Sequence, residues 1–508
     1  MTDRWSELNE QALDMMKDGN VPEAVTCLEK ALAAARSENG DIHESVAVTL
    51  NNLGELHFMS GEYDQAEKTM LESVAVGEAV HGKDSISVGE TLLNLAELYF
   101  IRQRYEDADR QTARIVEIYE HGAADNPALL TSVYNACATF YLEVGMVEPA
   151  QPLLARAQKV IEEHSDEDNP ELGVVLKSLG IIDRHQGNLD GAETRLRRAL
   201  TIFENSVGPE HPEFAGVLAH LAEVYLSRGL LQAAEPLLNQ AIDIYKHAFV
   251  DPQPEAGAAM DRLAALYAAT GRTDKAEELL LEVLYIYSSS LGEEHPAVGD
   301  VKNSLGEIYI GKNETDEALP LIESSLKIRQ SYFGERHPAV AQSINNIAIV
   351  YDRRGDRTLA LRQHRKALEI REAVFGADHP AITQSLDNMA AIYRVQGKTK
   401  DAIELLERSI EIWQQAQGAE HPAAAQSFHN LATLYVDAEQ YEEAEQALLN
   451  SRKILETDKG GNQMHLATVF ETFAGLYSKM GREPESREYA ARALKIRKPE
   501  QMGDPRVH

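Results

Sequence analysis

Residues 50–67 read LNNLGELHFMSGEYDQAE: an apolar row at helical spacing, a glycine, and the start of a second helix whose landmark is Ala66. Steps of 42 residues from that alanine land on Ala24, Ala108, Ala150, Ala192, Ala234, Ala276, Ala318, Ala360, Ala402 and Ala444, and then on Ser486. Eleven alanines in phase without an insertion define an internal repeat, and a helical unit of this size buries its apolar face only by stacking on its neighbours. The 508 residues exceed the roughly 250–300 at which one compact core stops growing, so an array of repeats also answers the question of length.

Other positions keep the same phase. Five residues before the alanines stand Gly19, Gly61, Gly145, Gly187, Gly229, Gly271, Gly355, Gly397 and Gly481, with Gln103, Asn313 and Glu439 as exceptions. Glycine there lets the backbone turn between two helices. Upstream runs an apolar row from Leu53 and Leu95 to Leu431 and Phe473, always followed by Gly or Ala. That small residue is expected to face the landmark alanine of the next helix and let the pair approach closely. A tyrosine follows the row four residues on in most repeats, from Tyr99 to Tyr477, and is expected to fill the core. Prolines at 170, 212, 254, 296, 338, 380 and 422 mark helix starts, where a missing N–H leaves no bond unmade. The fold expected is an all-α solenoid of twelve hairpins over residues 1–497. Its end units act as caps, since Gln11 stands where other repeats have an apolar residue, and a disordered tail is expected over 498–508, with Pro499, Gly503 and Pro505.

The net charge of −33 argues against nucleic acid or an anionic membrane as partner, because both repel such a surface. The charge is uneven. Residues 1–300 hold 52 acidic and 22 basic side chains (net −30), and residues 301–508 hold 30 and 27 (net −3). The acidic part therefore meets a basic partner or serves solubility. No apolar run is long enough to span a bilayer, and the first residues lack the apolar stretch of a signal peptide. Cys27 and Cys137 fall in apolar helical rows far apart, which suits a reducing compartment. A cytoplasmic protein is expected.

The small, Tyr and Ala landmarks resemble the tetratricopeptide repeat. The 42-residue period, with LNNLGELHFMSGEYDQAE and ALEIREAVFGADHP (367–380), is similar to the kinesin light chain branch of that family. Twelve repeats and the lack of a heptad segment for a motor heavy chain depart from a true kinesin light chain. The resemblance implies that the first helix of each unit lines a concave groove and that the second Asn of the NNLA motif bonds cargo main chain. Carried onto this sequence, that Asn is Asn52, Asn94, Asn346, Asn388 and Asn430.

A face spaced i, i+4, i+7, i+11 on that helix reads Gln342, Asn346, Ile349, Arg353, then Gln384, Asn388, Ala391, Val395, then Gln426, Asn430, Thr433, Asp437. Amide side chains offer a donor and an acceptor, which match an extended main chain whatever its side chains. The same pattern also suits ordinary solvated helix positions. Ala136, Ser178, His220, Arg262 and Ser304 break the ladder in the middle repeats. The basic residues Arg353, Arg354, Arg357, Arg362, Arg365, Lys366 and Arg371 form either a solvated face or the positive wall of a peptide site.

The recurring His-Pro pairs at His211, His295, His337, His379 and His421 are expected to pack loops before helix starts, because helices ~8–10 Å apart hold equivalent imidazoles too far apart to share an ion. His364, alone in an apolar row, is expected to be a core histidine. GKT at 397–399 lacks the first glycine and the preceding strand of a phosphate loop, and neither G-x-S-x-G nor H-E-x-x-H occurs. The expectation is a non-enzymatic protein-interaction scaffold with no cofactor or metal. It binds a peptide segment or partner helix chiefly in the C-terminal repeats; the alternative is an assembly or regulatory subunit that wraps a folded partner. Self-association is allowed by either reading.

Overall fold

Why the chain turns where it does is visible first at the backbone. In the computed structural model, which describes residues 4–17, 20–251, 253–417, 421–457 and 463–497, the turn glycines from Gly61 to Gly481 all have positive φ. The three exceptions in that register, Gln103, Asn313 and Glu439, adopt the same left-handed conformation, with φ of 58°, 64° and 59°. The hairpin geometry thus overrides side-chain preference. Gly19 and the tail from residue 498 lie outside the described residues.

The chain divides into two compact units, Met1–Val224 and Tyr225–His508. The first holds α1 (Arg4–Lys17), α2 (Val21–Asn39), α3 (Glu44–Met59), α4 (Tyr63–His81), α5 (Ile86–Ile101), α6 (Tyr105–Gly122), α7 (Pro127–Glu143), α8 (Val147–His164), α9 (Pro170–His185), α10 (Leu189–Ser206) and most of α11 (Pro212–Ser227). The second holds α12 (Leu231–Ala248), α13 (Pro254–Ala269), α14 (Thr273–Leu291), α15 (Pro296–Gly311), α16 (Thr315–Phe333), α17 (Pro338–Arg353), α18 (Arg357–Phe375), α19 (Thr383–Val395), α20 (Thr399–Gln417), α21 (Pro422–Asp437), α22 (Tyr441–Thr457), α23 (Gln463–Lys479) and α24 (Glu483–Arg497). Twenty-four helices make twelve consecutive pairs, and no strand occurs among the described residues. Each unit is a solenoid: within it a helix packs chiefly on the one before and the one after, and successive odd-numbered helices also touch. The odd helices therefore form the inner row of each stack. No described helix is long and apolar enough to cross a membrane.

The landmark alanines Ala24 to Ala444 are fully buried. The small residue of the odd helix meets the backbone of the landmark alanine, as the sequence suggested, at Gly180 and Gly306, which approach the carbonyls of Ala192 and Ala318, and it also meets the larger side chain one turn further on. A Cβ added at Gly54 or Gly180 would lie 2.7 or 2.8 Å from Met70 or Leu196, and one at Gly306 would overlap Ile322. A second small-to-large fit sits nearer the helix start, where Gly89, Gly173 and Gly257 receive the rings of Tyr119, Phe203 and Tyr287.

Two further devices join repeats. The first is a clamp. In the first unit Tyr99 Oη donates to Glu67 at 3.2 Å while Arg104, stacked 4.4 Å over the same ring, donates to that carboxylate at 2.7 Å. In the second unit Tyr309 and Lys312 hold Glu277, Tyr477 and Arg482 hold Glu445, and Arg272, stacked on Tyr267, holds Glu235. The tyrosine row is therefore more than core filling: its hydroxyls bond across repeat boundaries.

The second device uses the His-Pro histidines. His295, His337, His379 and His421 are N-caps whose Nδ1 accepts the backbone N–H two residues on, at 3.1–3.3 Å. The rings of His337, His379 and His421 stack on Phe333, Phe375 and Trp413 from the end of the preceding helix. An oxygen acceptor is the usual N-cap; the imidazole supplies a nitrogen and a stacking face together.

A non-glycine residue in the left-handed region costs about 1–2 kcal/mol and glycine's extra chain entropy returns roughly half of that. Gln103→Gly and Glu439→Gly are accordingly expected each to raise stability by about 0.5–1 kcal/mol, and Asn313→Gly by less because asparagine tolerates this region. Thermal midpoints by circular dichroism check the order.

Candidate functional site

The expected binding face lies on the inner row of the second unit. In this unit the odd helices carry two adjacent polar positions, and at three boundaries the second bonds back to the first of the preceding repeat. Asn346 Nδ2 donates to Asn303 Oδ1 at 3.2 Å, and Asn388 Nδ2 to Asn345 Oδ1 at 3.3 Å. His429 Nε2 meets Thr472 Oγ1 at 2.8 Å in the same register. The first unit repeats the bond from Asn52 to Asn9 and from Asn94 to Asn51. Four of the asparagines expected to face a groove, Asn52, Asn94, Asn346 and Asn388, thus lace neighbouring repeats together, whereas Asn430 bonds Gln426 of its own helix.

Asn346 departs furthest from expectation. It is 5% exposed, and its amide also donates to Glu307 Oε1 at 2.7 Å. Helical phase placed it on the inner face correctly, but α15 and α17 approach so closely that this part of the face is interior. Asn52, Asn94, Asn388 and Asn430 are half-buried. Gln342, Gln384 and Gln426 are exposed, as is Arg353 at the end of α17. Gln342 Nε2 donates to Glu307, Gln384 Oε1 accepts from Arg371, and Gln426 Nε2 donates to Asn430 Oδ1. The outward atoms left over are a carbonyl on Gln342, an amino group on Gln384 and a carbonyl on Gln426. That alternation is what an extended backbone presents in reverse.

Beneath these glutamines lies a polar seam that spacing alone did not reveal. Arg329, buried, donates to Asp300, Ser343 and the Ala339 carbonyl. Arg371 leaves the expected basic surface for the core, where it donates to Ser385 at 2.7 Å. His364 is a core histidine, 1% exposed, bonded to Asn345 at 2.9 Å. Ser427 donates to Asp387, whose second oxygen has no partner; Asn345 Nδ2 and His429 Nδ1 are likewise unpaired. The sequence signal for the seam was the residue just before each ladder position: Asn303, Asn345, Asp387 and His429 stand 42 residues apart.

What this face offers is hydrogen-bond donors and acceptors. Among the described residues no three His, Cys, Asp or Glu side chains gather as a metal site. Cys27 and Cys137 are buried free thiols, and burial pushes the Cys137 thiol up to about 12.

The sequence matches the tetratricopeptide repeat over residues 6–79, 45–121, 129–205, 175–247, 255–331, 301–373, 346–410 and 380–457. Similar solved structures include BtubC (BKLC) from P. vanneervenii, 24% identical, covering 46% of this chain and 92% of that one with a TM-score of 0.38. Another is a Podosopora anserina protein of kinesin light chain nearly identical TPR-like repeats, 28% identical, covering 41% of this chain and 99% of that one with a TM-score of 0.35. No curated protein matches the chain significantly.

Burial lowers both His364 and His429 to about 4, with Arg371 adding to the effect on the first and His465 and Arg394 on the second. Below the ordinary value of 6.5 the unfolded chain takes up protons that these folded imidazoles refuse until about pH 4. Stability from the pair is thus complete above pH 6.5 and lost between 6.5 and 4, by about 3 kcal/mol each. Asp387 acts oppositely: burial raises it to about 6, so the folded chain gains stability as pH falls from 6 toward 3.8. Acidification from pH 7 to 4 is expected to lower the unfolding midpoint, and Asp387→Asn, which removes the compensating uptake, to deepen that fall. Urea titrations at both pH values measure it.

Proposed function

The chain belongs to the tetratricopeptide repeat family, whose repeats mediate protein–protein interaction, and we propose that it is a scaffold that captures an extended peptide or partner helix along α17, α19 and α21. The observation that carries the reading is the row of exposed Gln342, Gln384 and Gln426, three amides at a 42-residue period with one outward group apiece. A peptide laid across the row pairs its N–H with the two carbonyls and its C=O with the amino group between them. Such pairing is indifferent to side chains, so Arg353 and the apolar patch at Val395, 62% exposed, would supply selectivity. Asn346 and Asn388 belong to the reading as the layer that fixes the glutamine-bearing helices in register, Asn430 as the acceptor that holds Gln426, and Asn52 and Asn94 bond across repeats in the first unit. Buried free thiols at Cys27 and Cys137 suit a reducing, cytoplasmic setting.

The second reading, a regulatory subunit that wraps a folded partner, draws on α14, where Leu281 and Tyr285, one turn apart, are 48% and 66% exposed. Short peptides from the partner bind under the first reading and fail under the second.

For a peptide selected on an array, changing Gln342, Gln384 and Gln426 together to Ala is expected to cost about 2–4 kcal/mol of affinity at ~0.5–1.5 kcal/mol per bond, with the variant still folded and its thermal midpoint lowered only by the loss of the bonds to Glu307 and Arg371. Asn346→Ala alone is expected to lower that midpoint instead, because it leaves Asn303 and Glu307 with a donor fewer in the interior. Equal affinity of the triple variant and the parent in calorimetry would remove the glutamine row from the site.

A further inference from the structure

The clamp that joins repeats is incomplete at one boundary. Glu67, Glu235, Glu277 and Glu445 each follow a landmark alanine directly, and each is held by a tyrosine and a cation of the next repeat. After Ala360 the equivalent residue is Leu361. The tyrosine and the cation are nonetheless in place: Lys398 Nζ lies 5.4 Å over the ring of Tyr393, as Arg104, Arg272 and Arg482 lie over theirs at 4.2–4.4 Å. Val25, Gln151, Leu319 and Ile403 also replace the carboxylate at their boundaries, but four residues before the next landmark, where Arg104, Arg272, Arg482 and Lys398 stand, those boundaries have Glu62, Asn188, Asp356 and Gln440. Only after Leu361 is a cation stranded.

The surroundings accentuate the lack. Arg362, Arg365 and Lys366 project from α18 beside Lys398, and the four line a cleft of about 700 Å³. Glu369 is the one carboxylate at its edge, and among the described residues none of the four cations has an ion-pair partner. Arg365 donates to Tyr393 Oη at 2.7 Å, so that hydroxyl accepts here where its equivalents donate, and its own proton is left to give. Four exposed cations held together repel one another, in a chain whose net charge is −33. Of the basic residues singled out in the sequence, Arg354 is neutralised by Asp316, Arg357 faces Asp352, and Arg371 is interior; Arg362, Arg365 and Lys366 remain at this cleft, and Arg353, exposed at the end of α17, is not among its lining residues.

We propose that this cleft, built on α18 and the turn before α20 and separate from the glutamine row, binds the carboxylates of an acidic peptide segment. One incoming side chain stands where Glu67, Glu277 and Glu445 stand elsewhere, accepting from the Tyr393 hydroxyl and Lys398. The repeat itself supplies the template for a carboxylate, and one carboxylate would leave most of the positive charge unmatched. A run of acidic side chains in an open cleft of this size balances the remaining cations.

The test uses fluorescein-labelled hexaglutamate and the full chain, read by anisotropy. Binding is expected, weakening at least tenfold from low to physiological salt, as exposed ion pairs are screened over ~8 Å. Arg365→Ala with Lys398→Ala is expected to lower affinity at least tenfold. Leu361→Glu is the sharper variant: it restores the carboxylate that other repeats possess, and it is expected to abolish binding while the thermal midpoint holds or rises. Absence of binding to the parent, or equal binding by the double variant, overturns the proposal. So does equal binding by a folded Leu361→Glu; if that variant unfolds, the double variant decides. Complete displacement by equimolar inorganic phosphate would reassign the cleft to small oxyanions and overturn the peptide reading.

Discussion

The close crossing of the two helices in each hairpin is the constraint on which the other contacts depend. Where Gly54, Gly180 and Gly306 lie against Met70, Leu196 and Ile322 there is no room for another carbon, so the helices meet at one depth and one rotation. That fixed rotation carries Glu67 to the hydroxyl of Tyr99 and Glu277 to that of Tyr309. It also sets the odd helices side by side closely enough for Asn346 to reach Asn303. Half-buried ion pairs between even helices, such as Arg114 with Glu78 and Arg408 with Glu372, follow from the same register and, still reached by solvent, add little, about 0–1 kcal/mol apiece.

The inner row of the second unit is less apolar than stability alone would favour. A buried Arg371 and a His364 held well below its ordinary titration range both carry desolvation costs, and unpaired Asn345 Nδ2 and Asp387 Oδ1 add to them. Such groups give each boundary its own identity. Arg329 finds Asp300 and Ser343 only at its own boundary, whereas leucine against leucine would accept any pairing of repeats. Register between repeats that share their apolar landmarks is specified by these polar fits, in the way a single polar residue selects register in a coiled coil.

Much of this was legible in the sequence because it depends on one residue type at one phase. The alanine period gave twelve hairpins, and the glycine period gave the turns even where Gln103, Asn313 and Glu439 interrupt it. Contacts between repeats were less legible. Whether Asn346 looks outward or inward depends on the separation of α15 and α17, which helical periodicity does not contain, and the pairing of small residues with the alanines left out the larger side chain one turn beyond that they also meet. The His-Pro histidines were read as loop packing because imidazole is an uncommon helix cap; their spacing two residues before an amide was available and was not used. The stranded Lys398 required the clamp to be seen first at other boundaries.

The clamps, the asparagine bonds and the ion pairs join residues 32, 43 and 36 positions apart, so each partner of a given side chain lies about one repeat away along the chain. During synthesis no bond waits for a distant terminus. A hairpin leaving the ribosome can dock as soon as the following one has emerged, and the part still unmade never exceeds about one repeat in length. For a chain this long, in which slow long-range pairing is the usual source of aggregation, the order of assembly is set by the order of translation.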